Sequence, residues 1–225
     1  MTDGSVPDGW VPDPSSTPAP RAWFRREALD VARDLLGSLL VRRTSEGTVA
    51  IRITEVEAYR GSEDPASHAF RGPTARNAVM FGDAGHLYVY RHLGLHHCAN
   101  VVAGEVGLAQ AVLLRAGEVV TGGDLARARR LAAGVCRTDR DLARGPARLT
   151  VAAALTRADD GADVVGQAAV GPGGVGVVVL PGPRLPDAAV ARGPRVGVAG
   201  AGEWAAGLPY RFWVAGDPHV SEYRR

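Results

Sequence analysis

The sequence predicts an α+β fold, an antiparallel β-sheet with helices packed against it, and three observations carry that expectation. Two pairs of β-forming segments are joined by turns short enough for hairpins: "SLLVRRT" and "VAIRITEVEAY" across "SEG", and "HLYVYR" and "LHHCANVVA" across Leu93 and Gly94. Helical periodicity is confined to short stretches. Neither an internal repeat nor an interdomain linker interrupts residues 22 to 225, and 225 residues with 46% hydrophobic composition suit one sizeable core.

Residues 1–21 are rich in Pro, Ser, Asp and Gly and lack periodicity, so they read as a disordered arm, with folding expected to start near Trp23. From Arg26 to Leu36 the apolar residues Leu29, Val31, Ala32, Leu35 and Leu36 recur at helical spacing, and Gly37 is placed to stop the helix. The two hairpins follow. "LAQAVLLRAGEV" reads as a strand buried on both faces for much of its length. "GGDLARARRLAAG" and "GPARLTVAAALT" read as helices, the second with Pro146 near its first turn. Strands resume at "GVGVVVL", "RVGVAG" and "YRFWVAG".

Composition excludes several function classes. No apolar run approaches the ~18 residues of a membrane helix, and the start resembles no signal peptide, so a soluble cytoplasmic protein is expected. Cys98 and Cys136 are too few for a disulfide framework and lack zinc-site spacing, which leaves ordinary thiols. A net charge of +2 does not by itself announce a nucleic-acid partner. All 26 residues counted as Lys or Arg are arginine, so no side-chain amine can form a Schiff base.

The stretch "ITEVEAYRGSEDPASHAF" begins as a strand and then crowds polar groups together. With regular alternation, Glu55, Glu57 and Tyr59 share a face with Ile51 and Ile53. A carboxylate on an apolar face is costly unless it is hydrogen-bonded or lines a cavity. The alternative is that Glu57 ends the strand in solvent, paired with Arg52 or Arg60. Tyr88 and Tyr90 share a face of the next strand, as do His96, Cys98 and Asn100 on its partner. Aromatic rings beside an amide and a carboxylate are what a planar nucleobase requires, although strand tyrosines also serve plain packing. His92, His96 and His97 raise a metal reading, but the i,i+4 spacing binds zinc only on a helix, and Gly94 interrupts one.

In combination, "VARDLLGSLLVRR", "ITEVEAYRGSEDPASHAFRGPTARNAVMF", "GHLYVYRHLGLHHCANVV", "AVLLRAGEV", "RGPARLT" and "GVAGAGEWAAGLPYRFWV" resemble the alkyladenine (3-methyladenine) DNA glycosylase family in order and spacing across residues 22 to 221. The resemblance implies one domain at 22–225, a mainly antiparallel curved sheet with helices around it and a protruding β-hairpin. It implies a monomer that needs no cofactor and no metal. Its partner is damaged double-stranded DNA, not a membrane, and its location is bacterial-type cytoplasmic, at the nucleoid through DNA. The implied reaction is base excision repair: an alkylated purine, 3-methyladenine or 7-methylguanine with hypoxanthine and ethenoadenine as further candidates, is flipped out and its N-glycosidic bond hydrolysed.

By the same resemblance Glu57 matches the carboxylate that activates water, and Arg115 the arginine that holds water and carboxylate. Tyr59, His68 and Tyr90 match the residues enclosing the flipped base, and Asn100 the amide that screens its edge. Arg76 matches an arginine near the DNA backbone, for which Arg60, Arg71 and Arg91 are further candidates. Where the family usually inserts a tyrosine into the duplex this chain has Leu93, preceded by His92, so a weaker wedge is expected, with help from His92 or Arg91.

The chemistry is consistent with these assignments. A purine alkylated at N3 or N7 is cationic and leaves readily, so a stacked pocket plus one base for water can suffice. Without lysine, the chain is expected to be monofunctional. Two rivals are a non-catalytic nucleic-acid-binding module and a histidine-ligated metal hydrolase.

Overall fold

The computed structural model describes residues 17–165 and 174–223. A short helix α1 (Arg21–Phe24) leads into α2 (Ala28–Leu35), and two hairpins follow, β1 (Leu39–Thr44) with β2 (Gly47–Arg60) and β3 (Leu87–His92) with β4 (His96–Ala103). Then come β5 (Gln110–Thr121), α3 (Gly123–Ala132), α4 (Pro146–Ala152), β6 (Gly176–Leu180), β7 (Val190–Gly193), α5 (Glu203–Gly207) and β8 (Arg211–Val214). The strands form one antiparallel sheet in the order β3-β4-β5-β2-β1-β6, with β8 pairing both β2 and β7. The α+β expectation is met.

α2 buries Ala28, Val31, Ala32 and Leu35, one face at helical spacing, against the sheet. Each such Val or Leu contributes ~1.5–3 kcal/mol by leaving water. Gly37, at φ +82°, then turns the chain into β1 as expected. α4 begins with Pro146, whose missing N–H costs nothing in a first turn. Along β3, β4 and β5, Val89, Val101, Val112 and Leu114 point into the main core, while Tyr88, Tyr90, Asn100 and Leu113 point to the opposite face. No helix among the described residues is long and apolar enough to cross a membrane.

Three expectations are corrected. The boundary at residue 22 moves towards the N-terminus: Ala19 is buried in the core, its N–H donates to the Val179 carbonyl at 2.9 Å, and α1 starts at Arg21. Residues 1–16 of the expected arm lie outside the described residues. "RVGVAG" is not a strand; the strand is β7, just before it, and Arg195–Val198 form a loop. Its valines alternate with glycine, which mimics a strand pattern, but Gly197 lies at φ +74°, where no strand continues.

The third correction concerns β2. Ile53 pairs with Gly117, Glu55 with Ala116 and Val56 with Leu114, so Thr54 on β2 and Arg115 on β5 are each left without a directly opposed partner. These shifts interrupt the alternation. Ile51 and Ile53 face the main core, but so do Val56 and Ala58, and Glu57 and Tyr59 therefore line the opposite face rather than sharing that of the isoleucines. The irregularity explains a glycine: a Cβ on Gly117 would lie 2.4 Å from the Arg52 carbonyl oxygen and 2.5 Å from Ile51 Cγ2.

Candidate active site

A cavity of about 310 Å³ opens on the face of β2 to β5 opposite the main core. β2 supplies Glu57 and Tyr59, β3 supplies Tyr88 and Tyr90, β4 supplies Cys98 and Asn100, and β5 supplies Arg115. The loop after β2 adds His68, and the loop after β7 adds Val196 to Val198. Six of the residues singled out by sequence, Glu57, Tyr59, His68, Tyr90, Asn100 and Arg115, thus meet around one space.

Glu57 is fully buried, which removes its reading as a solvated strand end. Arg52 pairs instead with Glu118 and Asp217, and Arg60 with Glu27 at 2.7 Å. One Glu57 oxygen, Oε1, accepts the Val196 N–H at 2.7 Å and lies 3.2 Å from Arg115 Nη1; the other, Oε2, accepts the Tyr59 hydroxyl at 3.0 Å. Burial pushes the Glu57 carboxyl above its ordinary 4.5, against the opposing pull of Arg115 and of both hydrogen bonds. A raised pKa makes the carboxylate a stronger base, provided that it is ionised at working pH.

Arg115 serves two carboxylates. Its Nε donates to Glu55 Oε1 at 2.8 Å, and Glu55 also accepts Arg211 Nε at 2.7 Å and the Ser221 N–H at 2.7 Å. Burial alone would raise the Glu55 carboxyl, but Arg115, Ser221 and Arg211 together outweigh it and hold Glu55 below the ordinary range. Glu55 is therefore the firmly ionised member, and it neutralises much of the charge that Arg115 could otherwise lend to Glu57.

The aromatic wall is layered. Tyr88 and Tyr90 stack with centroids 5.5 Å apart, and His68 meets Tyr90 edge-on at 4.5 Å while its Nδ1 lies 3.0 Å from the Tyr88 hydroxyl. His68 stands at the exposed rim on a loop held by buried Asn77, whose Nδ2 donates to the carbonyls of His68 and Gly72. Burial, with Arg76 and His92 nearby, lowers the His68 pKa from 6.5, so the ring is neutral at physiological pH. Asn100 Nδ2 donates to the Tyr88 carbonyl at 3.1 Å, which fixes its amide. Burial raises the Cys98 pKa, so this pocket thiol stays protonated and is a poor nucleophile.

Of the remaining sequence candidates, His92 lines the cavity and the others do not. Arg76 is exposed, with its guanidinium 5.6 Å from the Tyr90 ring centre. Arg71 and Arg91 are also exposed, whereas Arg60 is engaged by Glu27 and Glu63. Leu93 tops the β3–β4 hairpin, 81% exposed and at φ +50°. His92 and His96 face each other across this hairpin rather than along a helix, so the geometry assumed by the zinc reading is not present. Among the described residues no group of three or more His, Cys, Asp or Glu is placed to hold a metal ion.

Sequence reasoning missed Glu55 as the partner of Arg115, and it missed Arg211, Val196, and the pair Asp64 and Arg195. The second carboxylate in "TEVEAY" was the one available signal. The other contacts link residues from 131 to 156 positions apart, and no local pattern encodes them.

The chain is similar to known proteins along most of its length. Residues 22–218 match the family described as methylpurine-DNA glycosylase. A protein of Streptomyces avermitilis is 52% identical over 212 residues, covering 94% of each chain. One of Leifsonia xyli is 52% identical over 204 residues, covering 90% of this chain and 91% of its own, and one of Methanocella arvoryzae is 43% identical over 203 residues, covering 90% and 95%. All three carry the name "Putative 3-methyladenine DNA glycosylase".

Proposed function

Because this chain belongs to the methylpurine-DNA glycosylase family, and is thereby a DNA glycosylase of DNA repair, we propose that it excises alkylated purines, 3-methyladenine foremost, by flipping them into the aromatic cavity and hydrolysing the glycosidic bond with a water activated by Glu57. The observation that carries this reading is a fully buried carboxylate, held at both oxygens, facing a cavity walled by tyrosines.

A base extruded from duplex DNA loses its stacking partners, and the rings of Tyr59 and Tyr90 replace them. Stacking is worth ~1–3 kcal/mol per base, with a further gain for a cationic base against electron-rich rings. His68, held neutral, adds no charge to repel that cation. Asn100, its Nδ2 engaged by Tyr88, meets the base edge with its remaining acceptor. Glu57 takes a proton from water as the oxygen bonds to the sugar C1′. The C1′–N bond breaks, and its electron pair leaves on the purine, cancelling the positive charge. The products are a free methylated purine and an abasic site, and no cofactor or metal enters the balance. A neutral lesion such as hypoxanthine gains more from protonation, for which the site singles out no donor, so hypoxanthine and ethenoadenine are poorer substrates.

Leu93 is the wedge that fills the gap. A leucine held in the left-handed region carries ~1–2 kcal/mol of strain, which fits a functional tip better than a plain turn. Arg76 and Arg91 hold the flanking phosphates. Leucine offers less stacking surface than tyrosine, so Leu93→Tyr should tighten binding to abasic-site duplex several-fold; unchanged affinity would remove the wedge assignment.

The deciding experiment follows free purines liberated from methylated duplex DNA, with a chelator present and borohydride added in a parallel reaction. Release of 3-methyladenine without a trapped protein–DNA adduct is expected of a monofunctional monomer that needs no metal. Chelator-sensitive release would favour the metal hydrolase. Lesion binding without release would favour the binding module.

A further inference from the structure

We propose that the buried Arg195–Asp64 pair is a clamp that holds two walls of the base pocket together and fixes Glu57 in its working pose, with Arg195 as a positioning residue of the reaction. This inference rests on Glu57 being the base. Asp64 lies in the turn after β2, where its carboxylate accepts the N–H groups of Arg60 and Ala66. Ala66, Ser67 and His68, immediately downstream, line one wall. Arg195 lies in the loop after β7, and Val196, Gly197 and Val198 line another. A bidentate pair joins the two loops, Nη1 to Oδ2 at 2.5 Å and Nη2 to Oδ1 at 2.8 Å.

The same guanidinium reaches further. It donates to the carbonyls of Ala58 on β2 and Ala205 on α5, at 3.0 and 3.4 Å. It lies 4.6 Å from the ring centre of Tyr59, the pocket residue that donates to Glu57, and 5.2 Å from that of Tyr210. The next residue, Val196, supplies the N–H on Glu57. Downstream runs "GVAGAG", with positive φ at Gly197 and Gly202 and one short 3-10 turn at Ala199–Ala201, so Arg195 is the buried anchor adjoining Val196. Where the Val196 N–H points is therefore set by Arg195.

The Arg195 side chain is fully buried. An ion pair so buried adds little net stability, because desolvation cancels most of the attraction. What the planar fork supplies is a single geometry, which a lysine cannot reproduce. If the clamp is loosened, the Val196 N–H drifts from Glu57, and a carboxylate that loses a donor binds its proton more tightly.

The test is single-turnover release of 3-methyladenine across pH by wild type, Arg195→Lys, Asp64→Asn and the double variant, with folding checked by near-UV circular dichroism. Each single change should slow the maximal rate about tenfold or more and move the acid limb of the profile upward by about half a unit or more. The double variant should be no slower than the slower single, since both act through one pair. Folded variants that keep the wild-type rate, or that slow without moving the acid limb, would overturn the proposal. If Arg195→Lys does not fold, Asp64→Asn decides by the same criteria. A wild type that releases no base would instead remove the Glu57 reading itself, an outcome separate from an active wild type with indifferent variants.

Discussion

Glu57→Gln should lower the rate of base release by about 10²–10⁴-fold, the usual contribution of a general base, while lesion binding and the fold persist. Glutamine keeps an acceptor for the Val196 N–H and the shape of the site, but it cannot take a proton from water. The effect on stability has the opposite sign. The folded pKa of Glu57 is raised above its unfolded value, so the protonated form is the one that folding favours. Its favourable contribution is complete below the unfolded pKa and is lost as pH rises through the folded one. At neutral pH the ionised carboxylate therefore costs stability, and a neutral isostere removes that cost. Glu57→Gln should melt at or above the wild-type temperature at pH 7 and converge with wild type in acid. An inactive variant that melts much lower would show that Glu57 serves structure before chemistry. In wild type, the acid limb of kcat/KM should lie above the ordinary carboxylate value of 4.5, since the ionised form carries the reaction.

Arg115→Met should produce the largest loss of stability. Arg115 is buried between Glu55 and Glu57. Glu55 would keep Arg211 and the Ser221 N–H, but Glu57 would lose the guanidinium beside it. Removing one partner of a buried pair costs roughly 3–5 kcal/mol. For a chain of this size that is a fall in Tm on the order of ten degrees. Part of the cost is relieved by protonating Glu57, so the acid limb should shift further towards high pH, and activity should recover partly as pH is raised. Calorimetry with a pH–rate profile checks both effects. An unchanged Tm would mean that Arg115 is not the hub of the carboxylate network, and an unmoved limb would separate it from Glu57.

The legible parts of this protein were those encoded within a few residues. Both hairpins, α2 with its Gly37 stop, and α4 with Pro146 at its start follow from periodicity and turn chemistry, which act locally. The aromatic and amide residues of β3 and β4 were legible as a shared face for the same reason. The sequence motifs also named the family, and six of the matched residues line one cavity, whereas Arg76 and Leu93 do not. "RVGVAG" misled because alternating valine and glycine satisfies a strand pattern while glycine permits a backbone that strands do not use.

By itself, then, the sequence determined the α+β class, the hairpins, the family, and the presence of a carboxylate where apolar alternation would have placed a valine or isoleucine. Only the tertiary structure decided which way that carboxylate faces. The paired register shifts at Thr54 and Arg115 move Glu57 and Tyr59 off the face of Ile51 and Ile53, and a bulge is a property of two strands in contact, not of one read alone. It also decided that Arg115 is shared with Glu55, that the Val196 N–H meets Glu57, and that Arg195 pairs with Asp64 beside the Tyr59 ring. These contacts span 58 to 139 residues, as from Arg115 to Glu57 and from Val196 to Glu57. Their energies arise from burial and mutual charge, which exist only once the chain has folded.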